Sequence, residues 1–374
     1  MTPRAGMLAG ITVLDFSLQL PGPYATMLLR ASGARVTRIE PPGGDPARVY
    51  DPGMVETLEA GKERLTLDLR VPAAREIAQR LAAQSDVAVE GFRPGVVERL
   101  GIDFTSLRAH RPDLVYCSIS GFGQAGPYRS VPGHDINYLA VGGGVDPLGD
   151  GHHAEVGLPI VDLATGSMAA FVIAAALLER ASTGEGRYLD VAMIDSAVFW
   201  TQLKVEHGRA DGGHEGGQEP AYGVARTADG SYLALGVVED KFWQRLCAVL
   251  VWDDWVDDPV LARHEGRHRR GAEVAERLRS TIATRSRAEW LDLLWQADIP
   301  ATPLNGPAEV AVDPQVAERA LFVADEDGRP RLRAPVPSDA TGGTEPRARR
   351  ELLAEIGYDD AAVRELAAAG AFGS

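Results

Sequence analysis

A chain of 374 residues, 45% hydrophobic and 24% charged, is long enough for two folded domains or one large one and is ordinary for a soluble globular protein. The formal net charge of -15, from 38 Lys and Arg against 53 Asp and Glu, argues against nucleic-acid binding, which needs a positive surface, but leaves room for local basic clusters that hold a small anion. Cys117 and Cys247 stand far apart, so neither a disulfide framework nor a zinc site is implied and a reducing, cytoplasmic setting is expected.

Met1 to Gly10 shows no secretory pattern, and the apolar run that follows is interrupted by Asp15. From there to about residue 120, short β-rich runs alternate with helical patterns. Ile11 to Asp15, Arg35 to Ile39, Arg64 to Leu69, Asp86 to Glu90 and Leu114 to Ile119 read as strands, and Tyr24 to Ala31 and Pro72 to Gln84 as helices. Such alternation predicts βαβ units and a mainly parallel sheet, with ligands at the carboxyl ends of the strands. The most apolar stretch, Met168 to Leu178, reads as part of a buried helix too short to span a bilayer. No targeting or membrane segment is expected.

Residues 204 to 220, with Gly212-Gly213 and Gly216-Gly217, read as a linker. A second unit follows, with strands at Ser231 to Val238 and Ala301 to Leu304 and helices at Lys241 to Val251, Glu273 to Ala283 and Ser286 to Ala297. After the Pro/Gly-rich stretch 334 to 346, Arg349 to Ala369 reads as one helix that returns to the first unit.

Two segments carry chemistry. Gly133-His134-Asp135-Ile136-Asn137-Tyr138 is followed closely by Leu158-Pro159-Ile160-Val161-Asp162-Leu163, which places a histidine and a carboxylate, both suited to proton transfer, beside apolar runs. Asp162 is also expected to begin a helix, where a plain N-cap role competes with a catalytic one. His134, next to Gly133 and ahead of a half-apolar run, differs from His152, His153, His207, His214, His264 and His268, which lie in loops or charged stretches. Arg38, Lys62, Arg64 and Arg93 fall at ends of predicted strands, where phosphate binding competes with ordinary solvated charge. For Glu239, at the start of the Phe242-Trp243 helix, pattern does not separate a dipole role from a functional one. GxGxxG and P-loop patterns are absent.

Taken together the segments resemble the class III CoA-transferase (CaiB/BaiF) family, and within it the α-methylacyl-CoA racemases. The resemblance rests on Leu14-Asp15-Phe16 with Gly22 to Leu29, Arg38-Ile39-Glu40, Gly61-Lys62, Leu67-Asp68-Leu69, Glu90 to Gly95, Ser120 to Gln124 with Gly126-Pro127, Gly184 to Ser196 and Ile299 to Leu304. It implies an α/β fold. A large Rossmann-like open parallel-sheet domain (1–200), a linker (201–224), a smaller α/β domain (225–330) and a return segment (331–374) are expected, assembled as an interlocked homodimer.

The same resemblance implies an acyl-CoA thioester substrate and no prosthetic group or metal. Coenzyme A would be held by Arg38, Gly61, Lys62, Arg93, Gly133, Asp135, Ile136, Asn137 and Tyr138. His134 of the GHDINY segment, Asp162 and Glu239 of Gly236-Val237-Val238-Glu239-Asp240-Lys241-Phe242 match the racemases' catalytic positions. Transferases of the family use the aspartate matching Asp162 as a nucleophile, usually lack the histidine and often carry a glycine-rich loop at the position of Val237-Val238-Glu239. The implied reaction is epimerisation of a 2-methylacyl-CoA, with His134 and Asp162 exchanging a proton across an enolate whose oxygen meets the amides at the start of the Asp162 helix. CoA transfer through Asp162 is the alternative, and a non-catalytic acyl-CoA-binding homologue a third. Two departures stand out: the family's Asn-Arg-Gly-Lys reads Glu59-Ala60-Gly61-Lys62, and its Gly-Glu-His-Thr type segment is replaced by Arg347 to Arg350.

Overall fold

The computed structural model describes residues 6–145, 157–210, 220–324, 330–333 and 346–373. The chain divides into two compact units, 1–206 with 331–374, and 207–330. His152, His153, His214, the paired glycines at 212–213 and 216–217 and most of the Pro/Gly-rich stretch 334–346 lie outside the described residues.

The larger unit is built on six strands: β1 (Thr12–Asp15), β2 (Arg35–Glu40), β3 (Glu63–Thr66), β4 (Val87–Glu90), β5 (Val115–Ser120) and β6 (Arg187–Ala192). They lie in the order β3-β2-β1-β4-β5-β6, and every pairing is parallel. Every residue of β4 and β5 is buried, as expected for strands covered on both faces. Period-two alternation sorts them: Val13, Val87 and Val89 enter one core, Leu14 and Ala88 the other. Helix Pro72–Ala83 covers the second face with Ala74, Ile77, Ala78 and Leu81, a helical i, i+3, i+4, i+7 stripe. Helices Pro21–Ala31 and Ile160–Thr183 cover the first, through Ala25, Leu29, Ala169, Ile173 and Leu177.

Several boundaries differ from the sequence reading. The helix containing Asp162 runs for 24 residues, Ile160–Thr183, and by length and composition alone could cross a membrane; half of its most apolar window is buried in this fold. Pro159 is its N-cap, so Asp162 sits in the first turn and is not the cap. Helix Met193–Ala210 and strand β7 (Tyr222–Arg226) run into both ends of the expected linker. The expected terminal helix is two, Arg349–Glu355 and Asp360–Ala368. Gly357, at φ 90°, breaks it, and Asp359 caps the second piece by accepting from Ala361 and Ala362 amides.

The smaller unit pairs β7, β8 (Tyr232–Gly236) and β9 (Ala301–Pro303) antiparallel in that order. Helices Asp240–Leu250, Gly271–Ile282 and Arg287–Gln296 close over it around Trp243, Trp252, Trp255 and Trp290.

At the carboxyl ends of β1 and β2 the larger unit buries a charge network. Arg38 Nη1 meets Asp15 Oδ1 at 3.2 Å, Nη2 meets Asp45 Oδ2 at 2.8 Å and Nε faces Glu59 Oε2 at 3.6 Å. Lys62 Nζ approaches Glu59 at 3.1 Å and Asp15 at 3.5 Å and donates to Pro23 O at 3.0 Å. Burial alone would raise the Asp15 pKa, but Arg38, Lys62 and the Ser17 and Thr26 hydroxyls together hold the carboxyl below its usual range. Burial dominates at Glu59, whose pKa is raised.

Removing one member strands the others. Asp15→Leu should cost about 3–5 kcal/mol in urea denaturation at neutral pH. A loss below about 1 kcal/mol would mean that the cations find other partners.

Candidate active site

The strand order reverses between β1 and β4, and there a cleft of 510 Å³ opens. Leu18 and Gln19 line it after β1, Phe92 and Arg93 after β4, and Ile119 to Phe122 at the end of β5. Gly133, His134, Asn137, Tyr138, Asp162 and Met193 also line it. The histidine and carboxylate singled out in the sequence thus line one cavity.

His134 caps helix Asp135–Val141 and is exposed. Its amide donates to Asn137 Oδ1 at 2.9 Å and its carbonyl accepts from Asn137 N at 2.8 Å, which fixes the backbone from which the imidazole projects. Tyr138 buttresses this turn from below. Its hydroxyl donates to Gly133 O at 2.7 Å, and a Cβ at Gly121 or Gly133 would fall 2.6 or 2.9 Å from the tyrosine, so both positions need glycine. Burial first, then the negative charge of Asp162, pushes the Tyr138 pKa up to about 12, so the phenol stays protonated.

Asp135 does not line the cleft. Its Oδ1 accepts from the amides of Val161 at 2.7 Å and Asp162 at 3.0 Å, so the residue next to His134 caps the helix that carries Asp162. One dipeptide thereby sets the spacing of the two candidate bases. This corrects the expectation that the Asp162 helix aims its amides at a thioester oxygen, since two of them are already taken. In the first turn of the His134 helix, the amides of Asp135 and Ile136 meet no acceptor among the described residues. Ile136 itself is 44% exposed and lies outside the cleft wall.

Burial, then the charge of Asp135, pushes the Asp162 pKa from 3.8 to about 7. Near neutral pH this carboxyl is divided between acid and base, the condition a proton donor and acceptor needs. Glu90, at the end of β4, is likewise raised to about 7 by burial, but its Oε2 accepts from the Phe92 amide at 2.8 Å and so orders the turn that presents Arg93.

The expected coenzyme anchors divide. Arg38 and Lys62 are fully buried at the side chain and face carboxylates, so neither presents a charge to a ligand. The physical reason is the set of buried carboxylates around them: Asp15 and Asp45 hold Arg38, and Glu59 and Asp15 hold Lys62. Gly61, at φ 71°, is exposed, and its carbonyl accepts from Arg30 Nε at 2.6 Å. Arg93 is exposed in the cleft. Beside the Glu59 turn lies a second cavity, of 730 Å³, that sequence reasoning did not delimit. Arg64 and Arg349 line it without an ion pair among the described residues, whereas Arg347 is bound to Glu63 and Glu355.

Gln19, Phe92, Met193 and Arg129 were also missed as cleft residues. For Gln19, Phe92 and Met193 a position shortly after a strand was the available signal, but Gln19 at φ 69° adopts a left-handed conformation that its identity does not announce. In the smaller unit, Glu239 is the N-cap of helix Asp240–Leu250, exposed, and makes no capping bond with its side chain.

An open parallel sheet with a histidine and a titrating carboxyl at its switch point defines an α/β enzyme. The sequence profile described as CoA-transferase family III matches residues 8–350, and the chain belongs to that family. It is 33% identical over 342 residues to human alpha-methylacyl-CoA racemase, covering 86% of this chain and 83% of that one. It is also 33% identical over 363 residues to succinate–glutarate CoA-transferase of Agrobacterium fabrum, covering 90% of each. The crystal structure of a CAIB/BAIF family protein from Brucella suis superposes with a TM-score of 0.82 at 28% identity, over 94% of this chain and 99% of that one.

The Asp162 shift has a stability consequence. A carboxyl at about 7 when folded and 3.8 when unfolded binds more protons in the native state between those values, so its contribution is complete at acid pH and is lost as pH rises through about 7. Relative to wild type, Asp162→Asn should stabilise the fold at pH 8 by about 2–4 kcal/mol and change little at pH 4. Equal urea midpoints for the two proteins at pH 8 would show that Asp162 ionises normally.

Proposed function

We propose that this protein epimerises the α-carbon of a 2-methyl- or other 2-substituted acyl-CoA by two-base proton transfer. The observation that carries the reading is the cleft shared by His134 and Asp162, with Asp162 poised near neutrality. A thioester acidifies its α-carbon, and the enolate formed on deprotonation needs hydrogen-bond donors at its oxygen. The amide of Asp135, adjacent to His134 in the chain and without an acceptor among the described residues, is the donor suited to that oxygen. In one direction neutral His134 takes the proton and protonated Asp162 returns one to the opposite face; in the other, Asp162 carboxylate takes it and imidazolium returns it. Glu239 would stabilise the imidazolium.

Arg93, Arg64 and Arg349 are exposed cations suited to the phosphates of CoA, in place of the buried Arg38 and Lys62. Phe171, Leu178, Phe199 and Trp200 are each more than half exposed on helices Ile160–Thr183 and Met193–Ala210, and this supports a homodimer in which a second copy covers them.

A second reading, CoA transfer through an Asp162 anhydride and thioester, is favoured by transferase relatives as similar as the racemase. It requires Asp162 as a carboxylate nucleophile, whereas its environment favours the acid form below about pH 7. Single enantiomers of 2-methylacyl-CoA incubated with the enzyme in deuterium oxide discriminate. Racemisation with one α-deuterium gained supports epimerisation; retained configuration together with an Asp162 hydroxamate after hydroxylamine treatment supports transfer. For the anchors, Arg64→Ala should raise KM for the acyl-CoA about three- to tenfold at unchanged kcat, the signature of lost ground-state binding. An unchanged KM would remove Arg64 from the coenzyme site.

A further inference from the structure

Arg267 is the one arginine of the smaller unit with a fully buried side chain among the described residues, and it is set in the apolar core. Its Nη2 donates to Val238 O at 2.7 Å, and its Nη1 to Asp240 Oδ1 at 2.9 Å and Leu261 O at 3.1 Å. The guanidinium carbon lies 5.3 Å from the centroid of the buried Trp243 ring, and Nε has no partner. Gly266 allows this approach, because a Cβ there would fall 1.8 Å from Val260 O.

Burying a guanidinium with one orphaned nitrogen is an expensive way to fill a core, since an apolar side chain of similar volume packs there without desolvating a charge. What the cation does achieve is local. It holds the carbonyl of residue 238 and the side chain of residue 240, so the backbone of Glu239 is gripped on both sides while its own side chain makes no capping bond.

We propose that Arg267 is a positioning residue for Glu239, clamping the turn between β8 and helix Asp240–Leu250 so that the glutamate is presented in one orientation. The proposal rests on the reading that Glu239 takes part in the proton transfer. Misplacing a reacting group by about 1 Å is sufficient to lower a rate about 100-fold, so the clamp acts on kcat without touching substrate.

The test measures kcat and KM for α-deuterium exchange of 2-methylacyl-CoA by the full-length enzyme, with thermal melting of each variant. Arg267→Met should lower kcat about 10- to 100-fold with KM nearly unchanged, and Arg267→Lys, which keeps a donor cation at the clamp, should recover part of the loss. Glu239→Gln should also lower kcat, and adding Arg267→Met to it should lower kcat no further. Asp240→Asn, which loosens the clamp from its half-exposed side, provides the same comparison if Arg267→Met does not fold. Equal losses of kcat from Arg267→Met, or from Asp240→Asn, in the wild-type and Glu239→Gln backgrounds would overturn the clamp. Full activity of Glu239→Gln would instead overturn the role of Glu239 on which it rests.

Discussion

The buried ion network of Asp15, Arg38, Asp45, Glu59 and Lys62 organises one wall of the site. Asp15 ends β1, Arg38 lies in β2, and Glu59 and Lys62 flank the turn before β3, so charges from three places along the chain converge in one buried cluster. Asp45 extends the network to the rim, because its Oδ2 takes both the Arg38 guanidinium and the Gln19 amide, the latter at 2.9 Å. Gln19 is thereby held in its left-handed conformation. A cluster that excludes water this fully is stable only while each charge keeps its partners. Arg38 and Lys62 are therefore structural cations in this chain, and neither presents its charge to a ligand.

The opposite wall follows from a second shared acceptor. Asp135 accepts two amides from the first turn of the Asp162 helix and lies next to His134, so the spacing of the candidate bases is set by one side chain and the starts of two helices. Its negative charge also opposes ionisation of Asp162, which couples positioning to protonation. Gly166 lets the Asp162 helix cross close to helix Pro21–Ala31, where a Cβ would fall 2.6 Å from Pro21 O. The helix is thus fixed from below as well.

Much of this was legible in the chain. Strand–helix alternation between residues 11 and 120 predicts the parallel sheet, and GHDINY followed by Asp162 predicts the shared cleft, because buried parallel strands and proton-transfer residues leave local signatures. Charge partnerships do not. Nothing local distinguishes Arg38, with three carboxylates around it, from Arg64, which has no ion pair among the described residues, since the difference arises only when Asp15, Asp45 and Glu59 are brought together. Asp162 shows the same limit in miniature: a helix start was evident, but an acidic residue reads as a cap until a second acid, Asp135, is seen performing that role. Gly357 likewise hides the break between the two terminal helices inside an otherwise helical pattern.

The central claim is that His134 and Asp162 serve opposite faces of one enolate, and the most direct test is the stereochemistry of residual exchange in single-base variants. Each enantiomer of a 2-methylacyl-CoA is incubated in deuterium oxide with His134→Ala and with Asp162→Asn, and α-deuterium is followed before any inversion. The account predicts that each variant retains exchange of one enantiomer, that the two variants retain opposite ones, and that neither inverts configuration. Retention of the same enantiomer by both variants, or racemisation by either, would contradict the assignment of one base to each face.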